Sequence, residues 1–300
     1  MQTRSPLRQL LTASIFLLPG LVLFVLFFAW PMVYSFRISF FDWKIARPQL
    51  STFIGLGNYL RAISDPIFHR AVINTVSFTA ITVSVKMVLG LGVALLLNEK
   101  LRGRGLFRLT YYFPVITSIV IVSLLFQFLF SGQGGLVNYF LKDVLHVIDR
   151  NILWLANPVL VMVPINVLDI WKGVGWAAII YLAGLQSIPA ELYEAAAVDG
   201  AGPWSNFKHV TLPLLRPSTT FLIVVLIIGG LNAYIPFLLI TNAGGRTQSE
   251  LTHSVLTLMQ KTAIRDLEFG YSAAISYLLT IGVFAISVVE LRLLRQRRQD

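Results

Sequence analysis

The stretch LTASIFLLPGLVLFVLFFAWPMVY, residues 11–34, contains no charged side chain. A helix needs about 20 mostly apolar residues to cross the hydrocarbon core of a bilayer, and this stretch is long enough. Five further stretches are predominantly apolar over a similar length: 72–97, 109–130, 159–185, 219–240 and 271–291. The sequence therefore predicts an all-α membrane protein with six transmembrane helices, which residues 1–300 form as a single domain.

The composition also indicates a surface that faces lipid. Hydrophobic residues make up 56% of the chain and charged residues only 13%, whereas a soluble domain usually has about 25% charged residues. The net charge of +10 is expected of a membrane protein whose basic loops face anionic headgroups, so we expect lipid and no nucleic acid as a partner. The absence of cysteine excludes disulfides, thiolate zinc sites and iron–sulfur clusters.

The placement of basic residues predicts the side of the membrane that each terminus occupies. Clusters of Lys and Arg lie directly beside predicted helix ends within residues 100–108 and 292–298. Because basic clusters next to spans stay in the cytoplasm, we expect both termini to be cytoplasmic. A cleaved signal peptide is the alternative for residues 11–34, but this apolar run exceeds the roughly 7–15 residues of such a segment, and no small-residue cleavage site follows it.

Motifs that carry catalysis are missing from the sequence. It contains no G-x-x-x-x-G-K-[ST] phosphate-binding loop, no H-E-x-x-H and no G-x-S-x-G. The four histidines are scattered, so we expect no catalytic residue and no metal site. Two other classes of protein remain as alternatives. A membrane-embedded enzyme would require acids or histidines clustered at the membrane boundary, and a channel or secondary carrier would work without ATPase subunits.

The segment IPAELYEAAAVDGAGPWSNFKHVTLPLLRP, residues 188–217, is a connection between the fourth and fifth spans with a structure of its own. Pro189 is suited to the start of a helix, and Gly200 followed by Pro203 is suited to its end. A second short helical segment follows and is expected to stop at Leu212–Pro213. From the residues alone, two interpretations are open: a hairpin lying on the headgroups, or a docking element for another protein.

This segment resembles the EAA loop of the permeases of binding-protein-dependent ABC importers. The resemblance rests on a fixed spacing of small, acidic and turn residues, with Val210 where the family usually has Ile. It implies that the segment couples the permease to an ATPase through Glu191, Glu194, Ala195, Ala196, Asp199, Gly200, Leu212 and Pro213.

Further motifs extend the resemblance to the carbohydrate-uptake permeases over nearly the whole chain. They include FIGLGNY at 53–59, GLGVALLLN at 90–98 and FP at 113–114. Trp30-Pro31 together with SFFDW at 39–43 is similar to the half named for the maltose-transport F-type subunit and its glycerol-3-phosphate counterpart. The Gly244-Gly245 loop also fits, although Arg246 stands where the family often has Pro.

The family implies a type I ABC importer permease fold and a place in the cytoplasmic membrane of a bacterium or archaeon. The implied partners are a second permease subunit, two copies of an ABC ATPase and an extracytoplasmic solute-binding protein. ATP and Mg would be bound by the ATPase subunits, with no cofactor in this chain. The implied substrate is a mono-, di- or oligosaccharide, with glycerol 3-phosphate or another phosphorylated polyol as the alternative.

Polar residues in the middle of a span are costly unless they face a cavity or a partner. In the fourth span such residues recur at helical spacing, and the fifth span adds one. The predicted substrate path therefore comprises Asn166, Asp169, Lys172, Gly173, Trp176 and Asn232. The alternative is an internal Asp169–Lys172 pair on a helix-packing face, and Lys86 in the second span is interpreted as a snorkelling or packing residue. Lys172 allows a phosphorylated substrate, whereas Trp176 favours a neutral sugar.

Overall fold

The computed structural model describes residues 6–99, 104–241 and 250–296. Most of these residues are helical. The α-helices are, in chain order, α1 Pro6–Phe24, α2 Trp30–Ile38, α3 Gly57–Ser64, α4 Pro66–Asn98, α5 Arg104–Ile116, α6 Ile119–Leu129, α7 Leu136–Tyr139, α8 Met162–Gln186, α9 Ala190–Val198, α10 Pro203–Asn206, α11 Leu212–Leu214, α12 Arg216–Leu231, α13 Ile235–Thr241, α14 Val255–Gln260 and α15 Phe269–Gln296. Turns of π-helix occupy Val25–Ala29, Phe140–Val144, Phe207–Thr211 and Lys261–Arg265.

Four continuous helical stretches are long and apolar enough to cross a membrane, namely Phe16–Ile38, Pro66–Asn98, Met162–Gln186 and Phe269–Val289. Two bent pairs of helices have the same character when each pair is taken as one span. Gly105–Ile116 and Ile119–Leu129 meet at 92°, and Pro203–Leu214 and Arg216–Leu231 meet at 62°. The predicted all-α architecture is confirmed, and the number of apolar spans reaches six with the bent pairs included.

The third span differs from the continuous helix that residues 109–130 suggest. Helix α5 ends at Ile116, Ser118 adopts an extended conformation with φ −61° and ψ 125°, and α6 begins one residue later. Pro114 near the end of α5 has no backbone N–H to donate, which weakens the last helical turn. The fifth predicted span, 219–240, is likewise divided into α12 and α13.

The structure separates into two compact units, of which the first comprises described residues of 1–65 and 259–280. In it, a two-stranded antiparallel hairpin of β1 (Phe41–Asp42) and β2 (Thr52–Phe53) follows the first span. Asn58 of α3 donates to the backbone carbonyls of Ser39 and Phe41 and so anchors α3 to the hairpin. The side chains of the first span are exposed or half-buried, as expected of an apolar surface in lipid.

The second unit comprises described residues of 66–258 and 281–300 and contains the main core. Its centre is the packing of α4 on α8, where a methyl group at Gly90 would lie 2.7 Å from the Ala177 Cβ. One apolar cluster lies among α4, α8 and α12 and includes Val83, Tyr181 and Leu222. A second cluster lies among α4, α6, α8 and α13 and includes Phe78, Ile165 and Phe237. The prediction of one domain over 1–300 stays a prediction.

Candidate functional site

The connection between the fourth and fifth spans, residues 188–217, is called here the coupling segment. Its first arm, α9, ends in a Schellman motif: the Ala201 N–H donates to the Ala196 carbonyl at 2.9 Å, and the Gly200 N–H donates to the Ala197 carbonyl at 3.1 Å. Gly200 has a φ of +77°, in the left-handed region that glycine adopts without a steric penalty. The predicted end of this helix at Gly200 is therefore confirmed, with a physical reason for glycine at that position.

The second arm of the coupling segment is helical from Pro203 to Leu214. The predicted stop at Leu212–Pro213 is therefore wrong by a short distance, and the break falls at Leu215. A π-helical turn at Phe207–Thr211 ends two residues before Pro213, which has no backbone N–H to donate to a regular helix. A hydrogen bond of 3.0 Å between the Tyr193 hydroxyl and the Thr211 hydroxyl connects the two arms.

The side chains of α9 point away from the core of the second unit, since none of them is buried. Of the predicted coupling residues, six are exposed and two are half-buried. The exposed ones are Glu191, Glu194, Ala195, Asp199, Gly200 and Leu212, and the half-buried ones are Ala196 and Pro213. The segment thus presents carboxylates and small side chains at its surface.

All the residues predicted for the substrate path except Asn232 lie on α8, and they differ in the groups that they contact. The Asp169 carboxylate forms an ion pair with Lys86 of α4, whose side chain is only 8% exposed. The alternative pairing of Asp169 with Lys172 is therefore wrong, because Asp169 pairs with Lys86. Of the two interpretations of Lys86, snorkelling is wrong and packing is confirmed, since its side chain is buried against Gly173 of α8. The sequence did contain an indication of this pair, because a cation such as Lys86 in the middle of an apolar span needs an anionic partner.

Lys172 and Gly173 also contact other parts of the second unit. The Lys172 ammonium donates to the backbone carbonyls of Pro114, Val115 and Thr117, at 3.0, 2.9 and 2.6 Å. A methyl group at Gly173 would lie 2.6 Å from the Lys86 Cε, so the space at this glycine is filled by the Lys86 side chain. Sequence spacing alone did not indicate either contact.

The remaining predicted path residues have fewer internal partners. Asn166 is half-buried, and its Oδ1 is a buried atom without a hydrogen-bond partner among the described residues. Trp176 is half-buried with its ring centroid 6.2 Å from that of Phe221. Asn232 is exposed at the end of α12, where its side-chain amide donates to the Ile228 carbonyl at 2.8 Å. Within residues 6–99, 104–241 and 250–296, no three His, Asp or Glu side chains are grouped as a metal site would require.

Apolar helices around an internal ion pair, together with an exposed helical connection, are the features of a polytopic membrane protein. The family model of the binding-protein-dependent transport system inner membrane component matches residues 86–298, a range that begins within α4 and includes the whole of α15. This chain therefore belongs to that family and is a multi-pass membrane protein.

Curated relatives are similar along nearly the full chain. The trehalose/maltose transport system permease protein MalF of Thermococcus litoralis is 34% identical over 97% of this chain and 96% of its own length. The lactose transport system permease protein LacF of Rhizobium radiobacter is 33% identical over 95% of this chain and 94% of its own length. A chain in the crystal structure of a bacterial ABC transporter that imports the acidic polysaccharide alginate has a TM-score of 0.80 at 24% identity, with 96% of both chains covered. The predicted ABC importer permease fold is thus confirmed.

Proposed function

We propose that this chain is the permease subunit of an ATP-driven sugar importer and forms half of its translocation path. The observation that carries the proposal is the coupling segment, an exposed helix closed by Gly200 in a chain that belongs to the importer family. Relatives named for trehalose and maltose, lactose and arabinooligosaccharides support a saccharide as the substrate.

The coupling segment is proposed to dock in a cleft on a separate ATPase subunit. Glu191 and Glu194 on α9 and Asp199 at its C-cap expose three carboxylates, and Arg or Lys side chains in a partner's cleft would pair with them. ATP and Mg would be bound by two copies of that ATPase, because this chain has no phosphate-binding loop. The proposed orientation accordingly has both termini and the coupling segment in the cytoplasm.

A second permease subunit would complete the translocation path, and an extracytoplasmic solute-binding protein would deliver the sugar. One solved neighbour is an alginate ABC transporter in complex with a periplasmic protein that carries an alginate pentasaccharide. That neighbour is 24% identical to this chain and supports the proposed assembly through its fold.

Within the path, a neutral saccharide is favoured over glycerol 3-phosphate or another phosphorylated polyol. Both lysines of the second and fourth spans are occupied by groups of this chain, Lys86 by Asp169 and Lys172 by three backbone carbonyls. An anionic substrate would have to compete with those internal partners. Asn166 and Trp176 are the proposed sugar contacts, with a hydrogen-bond acceptor on one and an aromatic face on the other.

The test of the coupling proposal is Glu194→Lys, with Asp143→Lys as the matched control. Asp143 is an exposed acid outside the coupling segment, so the control makes the same charge change elsewhere. We expect Glu194→Lys to lose the co-purified ATPase or the substrate-stimulated ATP hydrolysis, while the control keeps both. An ATPase that stayed bound and fully stimulated with Glu194→Lys would refute the docking role.

A further inference from the structure

The bend in the third span leaves backbone carbonyls without their helical partners. In an unbroken helix the carbonyls of Pro114, Val115 and Thr117 would accept from N–H groups four residues later, but Ser118 is extended and the helix axis turns by 92°. Unsatisfied carbonyl groups are costly inside a membrane, because lipid offers no donor. The Thr117 hydroxyl donates to the Pro114 carbonyl at 2.6 Å. Some other group must satisfy the Val115 and Thr117 oxygens if the bend is to persist.

Lys172 of α8 supplies that group, and its ammonium uses all three of its N–H donors there. The three carbonyls lie 3.0, 2.9 and 2.6 Å from the Lys172 Nζ. The negative end of the α5 dipole also lies at this point, which favours a cation. Asp169, one turn earlier on α8, does not compete for Lys172, because its carboxylate is paired with Lys86.

A glycine on α8 allows the two backbones to come close enough for this arrangement. A methyl group at Gly175 would lie 1.9 Å from the Tyr111 carbonyl oxygen of α5. Gly175 is buried, so α5 would have to move away from α8 to accommodate even alanine. That movement would separate Lys172 from the end of α5.

We propose that Lys172 is a positioning residue that fixes the bend between α5 and α6 and ties it to α8. Helix α8 ends four residues before α9 begins, so α8 is the span that leads directly into the coupling segment. A displacement of the coupling segment by an ATPase would then reach the third span through Lys172. This second part rests on the proposed function, whereas the hold on the bend does not.

The bend can be measured by spin labels, since the chain has no native cysteine. Leu106 and Phe128 are 69% and 62% exposed on the two arms and accept labels as cysteine variants. With a helical rise of ~1.5 Å per residue, their backbones are about 23 Å apart across a right-angled bend and about 33 Å apart in a straight helix. In the full chain with its partner subunits, we expect Lys172→Met to broaden the distribution toward the longer distance, and Lys172→Arg to restore the shorter one.

Two further variants keep the test decisive. Gly175→Ala leaves the lysine in place and should shift the distance in the same direction, which covers the case in which Lys172→Met does not fold. Lys86→Met combined with Asp169→Leu removes the other lysine of the spans together with its partner, so that no carboxylate is left to compete for Lys172, and should leave the distance unchanged. An unchanged distance with both Lys172→Met and Gly175→Ala, or an equal shift with the Lys86→Met/Asp169→Leu double variant, would overturn the proposal.

The link to the coupling segment has a separate readout. In the assembled transporter, Lys172→Met should reduce substrate-stimulated ATP hydrolysis at least tenfold and leave the ATPase bound, with partial recovery in Lys172→Arg. A shifted label distance with normal stimulation would overturn the link alone. If the proposed function itself were wrong, the result would be different: the ATPase would not bind even the wild-type chain.

Discussion

The ion pair between Lys86 and Asp169 makes a quantitative prediction about stability. Its side chains are 8% and 24% exposed, so each charge depends mainly on the other for compensation. Removing one partner of a buried pair typically costs ~3–5 kcal/mol of the free energy of unfolding, whereas replacing both by apolar residues is often neutral. We therefore expect Lys86→Met and Asp169→Leu each to cost ~3 kcal/mol or more, and the double variant to cost less than either.

A double-mutant cycle in detergent micelles would measure this coupling, with unfolding followed by circular dichroism and checked for reversibility. The matched control is the pair Lys261–Asp266, whose nitrogen–oxygen distance is 3.0 Å and whose side chains are 28% and 35% exposed. Pairs nearer the solvent typically contribute ~0–1 kcal/mol. Additive effects at Lys86 and Asp169, or a coupling energy no larger than that of the control pair, would refute the assignment of a compensated internal pair.

Three further predictions concern the coupling segment, the path and the orientation. Gly200→Ala should weaken ATPase co-purification, because a left-handed φ costs ~1–2 kcal/mol for residues other than glycine. The control Gly202→Ala should not weaken it, since Gly202 has a φ of −73° and open space around it. Equal effects of the two variants would contradict the explanation by the Schellman motif. Trp176→Ala should reduce sugar uptake with the assembly retained and Trp176→Phe should lose less, whereas unchanged uptake kinetics would favour a packing role. Single cysteines at Ser205 and Val147 should react with impermeant reagents from the cytoplasm and from outside, respectively, and reversed accessibility would contradict the orientation.

The apolar spans and the coupling segment could be predicted because each depends on local sequence. An apolar run such as 11–34 is stable only in a hydrophobic environment. Gly200 followed by Pro203 is a signal for the end of a helix that depends on these residues alone. The bends were harder to foresee. Pro114 marks a weak point in the third span, but prolines are tolerated within membrane helices when neighbours satisfy the freed backbone groups. Whether a bend forms therefore depends on a neighbour such as Lys172, which the local sequence does not identify.

The partners of the polar residues could not be predicted, because spacing places side chains on a face without naming the helix opposite. Asp169 and Lys172 stand three residues apart and suggest a local pair. In the structure each contacts a different element. Asp169 pairs with Lys86 of α4, and Lys172 donates to carbonyls at the end of α5. Gly173 accommodates the Lys86 side chain, which is again a property of the packing between α4 and α8.

These contacts change what the face of α8 can offer to a sugar. A substrate-binding group must be free to exchange partners, and Lys172 is not. Its release would leave the Val115 and Thr117 carbonyls unsatisfied at the bend, since only the Pro114 carbonyl has a second donor, the Thr117 hydroxyl. Asn166 differs, since its Oδ1 is buried without a described partner and an unsatisfied buried acceptor costs ~1–3 kcal/mol. A sugar hydroxyl that donates to this oxygen would recover that cost. We therefore expect Asn166→Leu to raise the substrate concentration needed for half-maximal uptake more than Lys172→Arg does, and the opposite order in transport assays would place the sugar contact at Lys172.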